Sequence, residues 1–326
     1  MITVYVHADG SLRRVDFPAD GHLPTGTVWI DLLTPTPEEE RAVERALNID
    51  APSREEMQEI EFSSRIYREG NVSYMTVSVL YGSEGPRPDT TAVTFIRAAQ
   101  TLVTLRYAEP NAFRSFPGRA LRQPALCATA DAALLGLLDA IVDRAADILE
   151  KLGTDQDAVS KGIFAAEPGA KRPAGVQLEE AVRQLGRVED LNARMRDSLL
   201  SIGRVLIFLT QEMLELRGGE EALQRLKTLS RDNQSLSEHA AFLAQKSNFL
   251  LDATLGLINI EQTAIIKIFS VAASVFLPPT LIASIYGMNF EFLPELQWPF
   301  GYPVALAMMV LSAVLPYFYF RRRGWL

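Results

Sequence analysis

From Ile268 to Phe290 the chain carries no charged residue. At 1.5 Å of rise per residue this run makes roughly 34 Å of helix, enough to cross the hydrocarbon core of a bilayer. A second uncharged run, Leu296 to Phe320, follows a short connection and is closed by Arg321, Arg322 and Arg323. Backbone in lipid must satisfy its own polar groups, so both runs are predicted to be helices. They take up under a fifth of the 326 residues, and the mean hydropathy is only +0.06. The rest is therefore expected to be a soluble body. Two spans are too few to enclose a polar path, so any such path needs several copies of the chain around it.

The bulk charge narrows the partners. A net charge of −8 and a pI near 5.1 argue against nucleic acid, whose phosphates need a basic footprint. Cys127 is the only cysteine, so neither an intrachain disulfide nor a cysteine metal site is possible. His7, His22 and His239 lie far apart in the sequence. The opening residues lack the basic and apolar segments of a signal peptide, so the body is expected to stay on the side where it is made.

In chain order, Ile2 to Val6 has strand composition, and Val28-Trp-Ile-Asp-Leu-Leu33 is a second apolar run. Thr36-Pro37-Glu38-Glu39-Glu40 predicts a helix start, with an N-cap, a proline in the first turn and acidic residues behind it. That helix is expected to reach Leu47. Ser53 to Ile60 predicts a second short helix, opened by the capping-box pair Ser53 and Glu56. Arg65-Ile-Tyr67, Val72 to Leu80, Thr91 to Ile96 and Thr101 to Arg106 read as strands. Strands in the middle with helices around them indicate an α/β layer domain.

From Ala125 the composition turns helical. Helices are predicted over about Ala128–Ile163 and Val176–Leu216, joined by a loop at Ala166–Gly175 and long enough to form a hairpin. A third helix begins at Glu220, and no strong breaker separates it from the first span. Leu229, Leu236, Leu243, Leu250 and Leu257 recur at heptad spacing on it, which suits packing against its own chain or against another copy equally well.

Positive charge orients the two spans. Lys267 precedes the first and Arg321, Arg322 and Arg323 follow the second, while the connecting loop has no Lys or Arg and carries Glu291 and Glu295. The positive-inside rule puts both chain ends in the cytoplasm and the loop outside. Tyr286, Phe290, Phe292, Trp298, Phe300 and Tyr302 form an aromatic belt at the outer boundary. The first span has a polar stripe, Thr263, Ser270 and Ser284 with Leu277 between them and Thr280 beside it, too polar to face lipid. Pro278 and Pro279 are expected to kink it. The second span, apolar nearly all round, is the lipid-facing partner.

The first span ends in Gly287-Met288-Asn289, preceded by Tyr286 and followed by Phe290. Leu293-Pro-Glu-Leu296, Trp298, Gly301-Tyr-Pro303 and the basic end Arg321-Arg-Arg-Gly-Trp-Leu326 continue the pattern. Trp29-Ile-Asp-Leu32, Asn259-Ile-Glu-Gln262, Ile265 to Ser270 and Phe276-Leu-Pro-Pro-Thr280 extend it along the chain. In these features the chain resembles the CorA family of magnesium channels and transporters, especially its enterobacterial-type branch.

The resemblance implies an α+β membrane protein. Residues 1–124 would be a cytoplasmic α/β domain, 125–219 a helical hairpin and 220–264 a stalk helix, the long helices forming a funnel. Residues 265–287 and 301–320 would be the spans, 288–300 a periplasmic loop and 321–326 a cytoplasmic basic end. It further implies a homopentamer in the inner membrane, with the lipid bilayer and divalent cations as the other partners. Asn289, with Gly287 and Met288, would form the pore entrance, where amide oxygens hold a hydrated Mg²⁺ that dehydrates reluctantly. The matching pore positions are Thr263, Ile266, Phe269, Leu277, Thr280 and Ser284. Leu277 and the Ile266 and Phe269 level would be apolar constrictions; several family members carry methionine at the positions of Leu277 and Ile266, a departure that is conservative in polarity. Asp252 matches a regulatory Mg²⁺ position, with Asp89 as its candidate partner. Lys267, Arg321, Arg322 and Arg323 would form a basic collar at the inner mouth.

The implied function is passive, potential-driven Mg²⁺ uptake, with Co²⁺ and Ni²⁺ also carried and cytoplasmic Mg²⁺ holding the pore shut. No organic cofactor is implied. One alternative is the zinc-transporting branch of the same superfamily, which generally lacks the continuation seen at Leu293–Leu296. A second is a membrane-anchored scaffold without transport. A membrane-tethered enzyme is disfavoured, because the sequence has no phosphate-binding glycine loop, no metal-ligand cluster and no nucleophile set with family spacing.

Overall fold

The computed structural model describes residues 1–18, 21–59, 61–85, 88–164, 175–215, 219–289, 294 and 298–325. It divides into two compact units, one of residues 1–164 and 183–250 and the other of residues 165–182 and 251–326.

The first unit is built on a seven-stranded sheet. In chain order its strands are β1 (Ile2–Ala8), β2 (Ser11–Val15), β3 (Thr27–Leu33), β4 (Ile66–Glu69), β5 (Val72–Tyr81), β6 (Asp89–Ala98) and β7 (Thr101–Arg106). Their spatial order is β2-β1-β3-β7-β6-β5-β4, and β3 with β7 is the parallel pair in an otherwise antiparallel sheet. Side chains alternate between faces along each strand. Val4, Val6, Ile30, Leu32, Val103 and Leu105 pack on one face with Val43 and Met57. Tyr5, Trp29, Met75, Val77, Phe95 and Leu102 pack on the other, against the long helices. Both faces are covered, which is why the central strands read as nearly continuous apolar runs.

The parallel pair explains the Trp29-Ile-Asp-Leu32 run. The Trp29 indole donates to the Thr104 hydroxyl at 3.0 Å, and that hydroxyl donates to Asp31 at 2.8 Å. Arg106 closes a two-pronged ion pair on the same carboxylate at 3.0 and 2.7 Å. All four side chains are buried, so the polar groups satisfy one another inside the sheet–helix layer.

Helix α1 (Pro37–Leu47) starts as expected, with a complete capping box between Thr36 and Glu39. The expected helix at Ser53–Ile60 is a single 3₁₀ turn, Glu56–Gln58. Its capping pair is present in both directions, Ser53 N to the Glu56 carboxylate and Glu56 N to the Ser53 hydroxyl. The pair caps a turn that buries only Met57 and goes no further, since no apolar stripe follows. A four-residue helix, α2 (Phe62–Arg65), leads into β4, so Arg65 belongs to that helix and the strand starts at Ile66. The edge strand β2 and helix α3 (Asn111–Arg122) were not foreseen. β2 buries little, and α3 contains Pro117, which masks its periodicity.

Three long helices follow: α4 (Ala130–Phe164), α5 (Gly175–Glu215) and α6 (Glu220–Tyr286). The loop expected at Ala166–Gly175 lies outside the described residues apart from Gly175, which is helical. The 67 residues of α6 run without a break through Pro278 and Pro279, so these prolines do not end the helix. Its leucine seam is taken up within the chain as far as Leu250, and Leu257 is only half-buried. Leu226, Leu229, Leu243 and Leu250 are buried, and Leu236 packs on two of the apolar clusters. Here the seam serves the fold of one protomer. The second half of the heptad, Asn233, Ala240 and Ser247, is buried as well. Those small or polar residues admit cross-helix hydrogen bonds. Asn233 donates to the Leu199 carbonyl at 3.1 Å, Asn192 to that of Ala240 at 3.0 Å, and Gln156 to that of Leu243 at 2.9 Å.

The second unit contains the lower part of α6 and the last helix, α7 (Gly301–Arg322). Both helices are long and apolar enough to cross a membrane.

Candidate ion-pathway helix and its terminal motif

The lower part of α6 is exposed round most of its circumference, Ile268, Phe276 and Leu281 included, apart from one covered strip. Val271 is only 5% exposed, and Lys267, Ser274, Val275, Pro278 and Ile282, which share its side, are all partly covered. The opposite side is open. Ile266, Phe269 and Leu277 are 64%, 71% and 70% exposed, and Thr280 and Ser284 are exposed too. At 3.6 residues per turn, Ile266, Phe269, Leu277, Thr280 and Ser284 fall within about 40° of one line along the helix, and Thr263 lies about 80° from it. Five of the six sequence-predicted pathway residues thus share one uncovered face, and Thr263 sits on its flank.

The hydroxyls on this face are less polar than their residue types suggested. Thr263 donates to the Asn259 carbonyl at 2.7 Å, and Thr280 donates to the carbonyls of Phe276 and Leu277. Both are satisfied by their own helix, so neither needs water or a partner helix. Ser270 is half-covered and off the line. The face is best described as mixed, with apolar levels at Ile266, Phe269 and Leu277 and small hydroxyls above them.

The motif ends the helix by a specific local mechanism. Gly287 N–H donates to Ala283 at 3.0 Å and to Ser284 at 3.2 Å, and Met288 N–H donates to Ile285 at 3.3 Å. This tightening into a shorter turn is a common way to finish a helix. A Cβ on Gly287 would come within 3.1 Å of the Ala283 carbonyl oxygen, which is why glycine suits the position. Met288 and Asn289 follow, both exposed, at the tip of α6. Glu291 and Glu295 lie outside the described residues, as do Phe290 and Phe292. Trp298 and Phe300 form an edge-on pair with ring centres 6.0 Å apart, next to the start of α7.

At the other end of the span the predicted collar residues are brought together in part. The Lys267 ammonium lies over the Trp325 ring, 5.8 Å from its centre. The Arg323 guanidinium lies over Tyr319 at 5.4 Å, and Arg321 and Arg322 are exposed in the last turn of α7. In the sequence Trp325 stands out only as part of the basic end Arg321–Leu326. Gly324 marks the helix end just before this aromatic, but nothing local in the sequence signals the contact with Lys267.

Of the two predicted regulatory carboxylates, Asp252 is exposed on α6. Asp89 opens β6 and is ion-paired to Arg194 of α5 at 2.8 Å. Arg194 also holds Asp190 at 3.2 Å, and the hydrogen bond to Asp190, with Asp89 behind it, raises the guanidinium above its ordinary value. Among the described residues no three His, Cys, Asp or Glu side chains are grouped to hold a metal ion.

A family model described as CorA-like Mg²⁺ transporter protein matches residues 24–322. The chain is 36% identical over 326 residues to the magnesium transport protein CorA of Escherichia coli, covering 100% of each. It stands at the same identity and coverage to the protein of that name from Pectobacterium atrosepticum. In fold it is similar to the complete structure of the CorA magnesium transporter from Methanocaldococcus jannaschii, with a TM-score of 0.76 at 20% identity, over 100% of this chain and 99% of that one. With a matching family model over nearly its whole length and relatives alike from end to end, the chain belongs to the family of CorA-like Mg²⁺ transporter proteins.

Proposed function

We propose that this chain forms a passive path for Mg²⁺ across the inner membrane, lined by the open face of α6 and entered at Asn289. The observation that carries this reading is the alignment of Ile266, Phe269, Leu277, Thr280 and Ser284 on one open side of an uncharged span that ends in Gly287-Met288-Asn289. It is supported by the names of the full-length relatives, which are magnesium transport proteins. Several copies must surround the path, because one protomer offers a single face and cannot enclose it; the resemblance gives five. A ring of Asn289 amides would bind the water shell of Mg²⁺ and leave the shell in place. The levels of Leu277, Ile266 and Phe269 would close the path by excluding water. The basic residues at one end of the spans put both chain ends in the cytoplasm. The driving force is the membrane potential, worth about 2.3 kcal/mol per charge per 100 mV, and no chemistry is done on the ion.

Co²⁺ and Ni²⁺ would use the same path. Cytoplasmic Mg²⁺ would act as a regulatory ligand through Asp252. Asp89 is the weaker half of that arrangement, since Arg194 of its own chain already neutralises it.

The test is ion uptake into vesicles holding the purified protein, wild type beside Asn289→Ala, with Co²⁺, Ni²⁺ and Zn²⁺ as competitors. Potential-driven Mg²⁺ flux that is lost in the variant while assembly persists is the expected result. Robust Zn²⁺ flux with little Mg²⁺ flux would move the protein to the zinc branch. A folded, oligomeric wild type that passes no divalent ion would make it a membrane-anchored scaffold.

A further inference from the structure

The last residues after α7 form a hook. Gly324 has φ +70°, in the left-handed region where glycine is at ease. Trp325 N–H donates back to the Phe320 carbonyl at 3.1 Å, and Gly324 N–H donates to that of Arg321 at 3.2 Å. This is the paired hydrogen-bond pattern of a Schellman ending, and its usual apolar contact is present, with the Phe320 and Trp325 rings 5.2 Å apart. The turn brings the Trp325 ring under the Lys267 ammonium of α6.

Lys267 is the last charge before the uncharged span. It lies on the covered side of α6, about 120° around the helix from the line through Ile266, Phe269, Leu277, Thr280 and Ser284. A lysine side chain is long and flexible, so an untethered ammonium there would sample positions nearer that face. A positive charge beside a narrow cation path repels a divalent ion, and the repulsion is strong where water is scarce. An aromatic face offers an ammonium an electrostatic resting place that does not neutralise it. Arg323 is held over Tyr319 in the same manner.

We propose that Trp325 is a positioning residue for transport: the hook built by Gly324 parks the Lys267 ammonium on the covered side of α6, away from the ion-pathway face. This role rests on the reading of that face as a Mg²⁺ path, while the contact itself does not.

Two measurements on the purified full chain separate contact from role. The first is acylation of Lys267 by an amine-reactive ester, mapped by mass spectrometry. Trp325→Met keeps an apolar side chain but has no ring, and Lys267 is expected to label several-fold faster in it than in wild type. Trp325→Phe keeps a ring face and is expected to label like wild type. Equal labelling in all three proteins overturns the contact and the proposal with it. The second is Mg²⁺ flux in vesicles. Trp325→Met is expected to lower flux about fivefold, an effect a single repelling charge near the path can produce. Trp325→Phe is expected to restore it. In a Lys267→Met background, Trp325→Met is expected to change nothing further. The same fall in that background would mean that Trp325 acts through general packing, and the proposal would fail. Contrasting labelling with no Mg²⁺ flux in wild type would retire the pathway reading, and the role with it, while leaving the contact standing.

Discussion

Asp31 and Arg106 show how one residue choice can hold a layer together. Asp31 accepts three hydrogen bonds, from the Thr104 hydroxyl and from two nitrogens of Arg106, and Thr104 in turn accepts from Trp29. Arg106 also donates to the Ala108 carbonyl at 2.9 Å and stacks on Phe113 at 4.8 Å, tying β7 to the start of α3. Removing the carboxylate leaves a guanidinium buried without its counter-charge. Asp31→Ala is therefore expected to lower stability by about 3–5 kcal/mol, read as a fall in the unfolding midpoint of the detergent-solubilised protein. Replacing an exposed acid such as Glu38 by Ala is expected to stay within about 0.5 kcal/mol in the same assay. The Trp29-Ile-Asp-Leu32 run was visible in the sequence as part of a family resemblance. Its physical purpose was not, because Thr104 and Arg106 lie more than seventy residues away along the chain.

At the scale of elements, α6 shows what a heptad can and cannot say. The spacing of Leu229, Leu236, Leu243 and Leu250 predicts a packed seam but does not name its partner. The partner is its own chain: Leu229 and Leu236 join the sheet–helix core, and Leu243 packs among residues of α4 and α5. The alternate positions Asn233, Ala240 and Ser247 look unsuited to a core. Ala240 and Ser247 leave room for amides of α5 and α4 to reach α6, Gln156 bonding the Ser247 hydroxyl at 2.7 Å as well, and Asn233 sends its own amide to the α5 backbone. Gly203 of α5 serves the same end, since a Cβ there would stand 3.0 Å from the Asn233 amide nitrogen. Such bonds join specific residues, so they fix how far along α5 the helix α6 sits. Asn192→Ala and Asn233→Ala are each expected to lose about 1–2 kcal/mol, whereas Asn248→Ala, on the exposed side of α6, is expected to lose about 0.5 kcal/mol or less. Urea titration of the three variants checks this.

For the whole molecule, Cys127 supplies an internal reporter. It is the single cysteine, fully buried in the core between sheet and helices, and burial pushes its thiol up to about 12. Only the thiolate reacts readily, so at neutral pH the native protein is expected to resist thiol reagents. A raised thiol pKa favours the neutral form, which is the form present in both native and unfolded chains at neutral pH, so it adds no pH dependence there. Above the ordinary thiol range the unfolded chain loses a proton that the native chain keeps, and stability is expected to fall as pH rises. Labelling of Cys127 during stepwise heating should follow the loss of β-sheet signal. Rapid labelling at low temperature would mean that the core opens locally.

The sequence by itself determined the two long apolar helices, the charges at their ends, the start of α1, the strand composition of the central sheet and the motif at the tip of α6. Each rests on local physics: absence of charge over a bilayer's thickness, capping chemistry, or side-chain alternation. Tertiary structure decided the rest. It reduced Ser53–Ile60 to one turn, because a capping pair without an apolar stripe behind it has nothing to bury. It gave the leucine seam to the chain's own core, since a period specifies a face and leaves the partner open. It put Lys267 over Trp325 and Asp89 beside Arg194, pairs distant in sequence that only folding brings within reach.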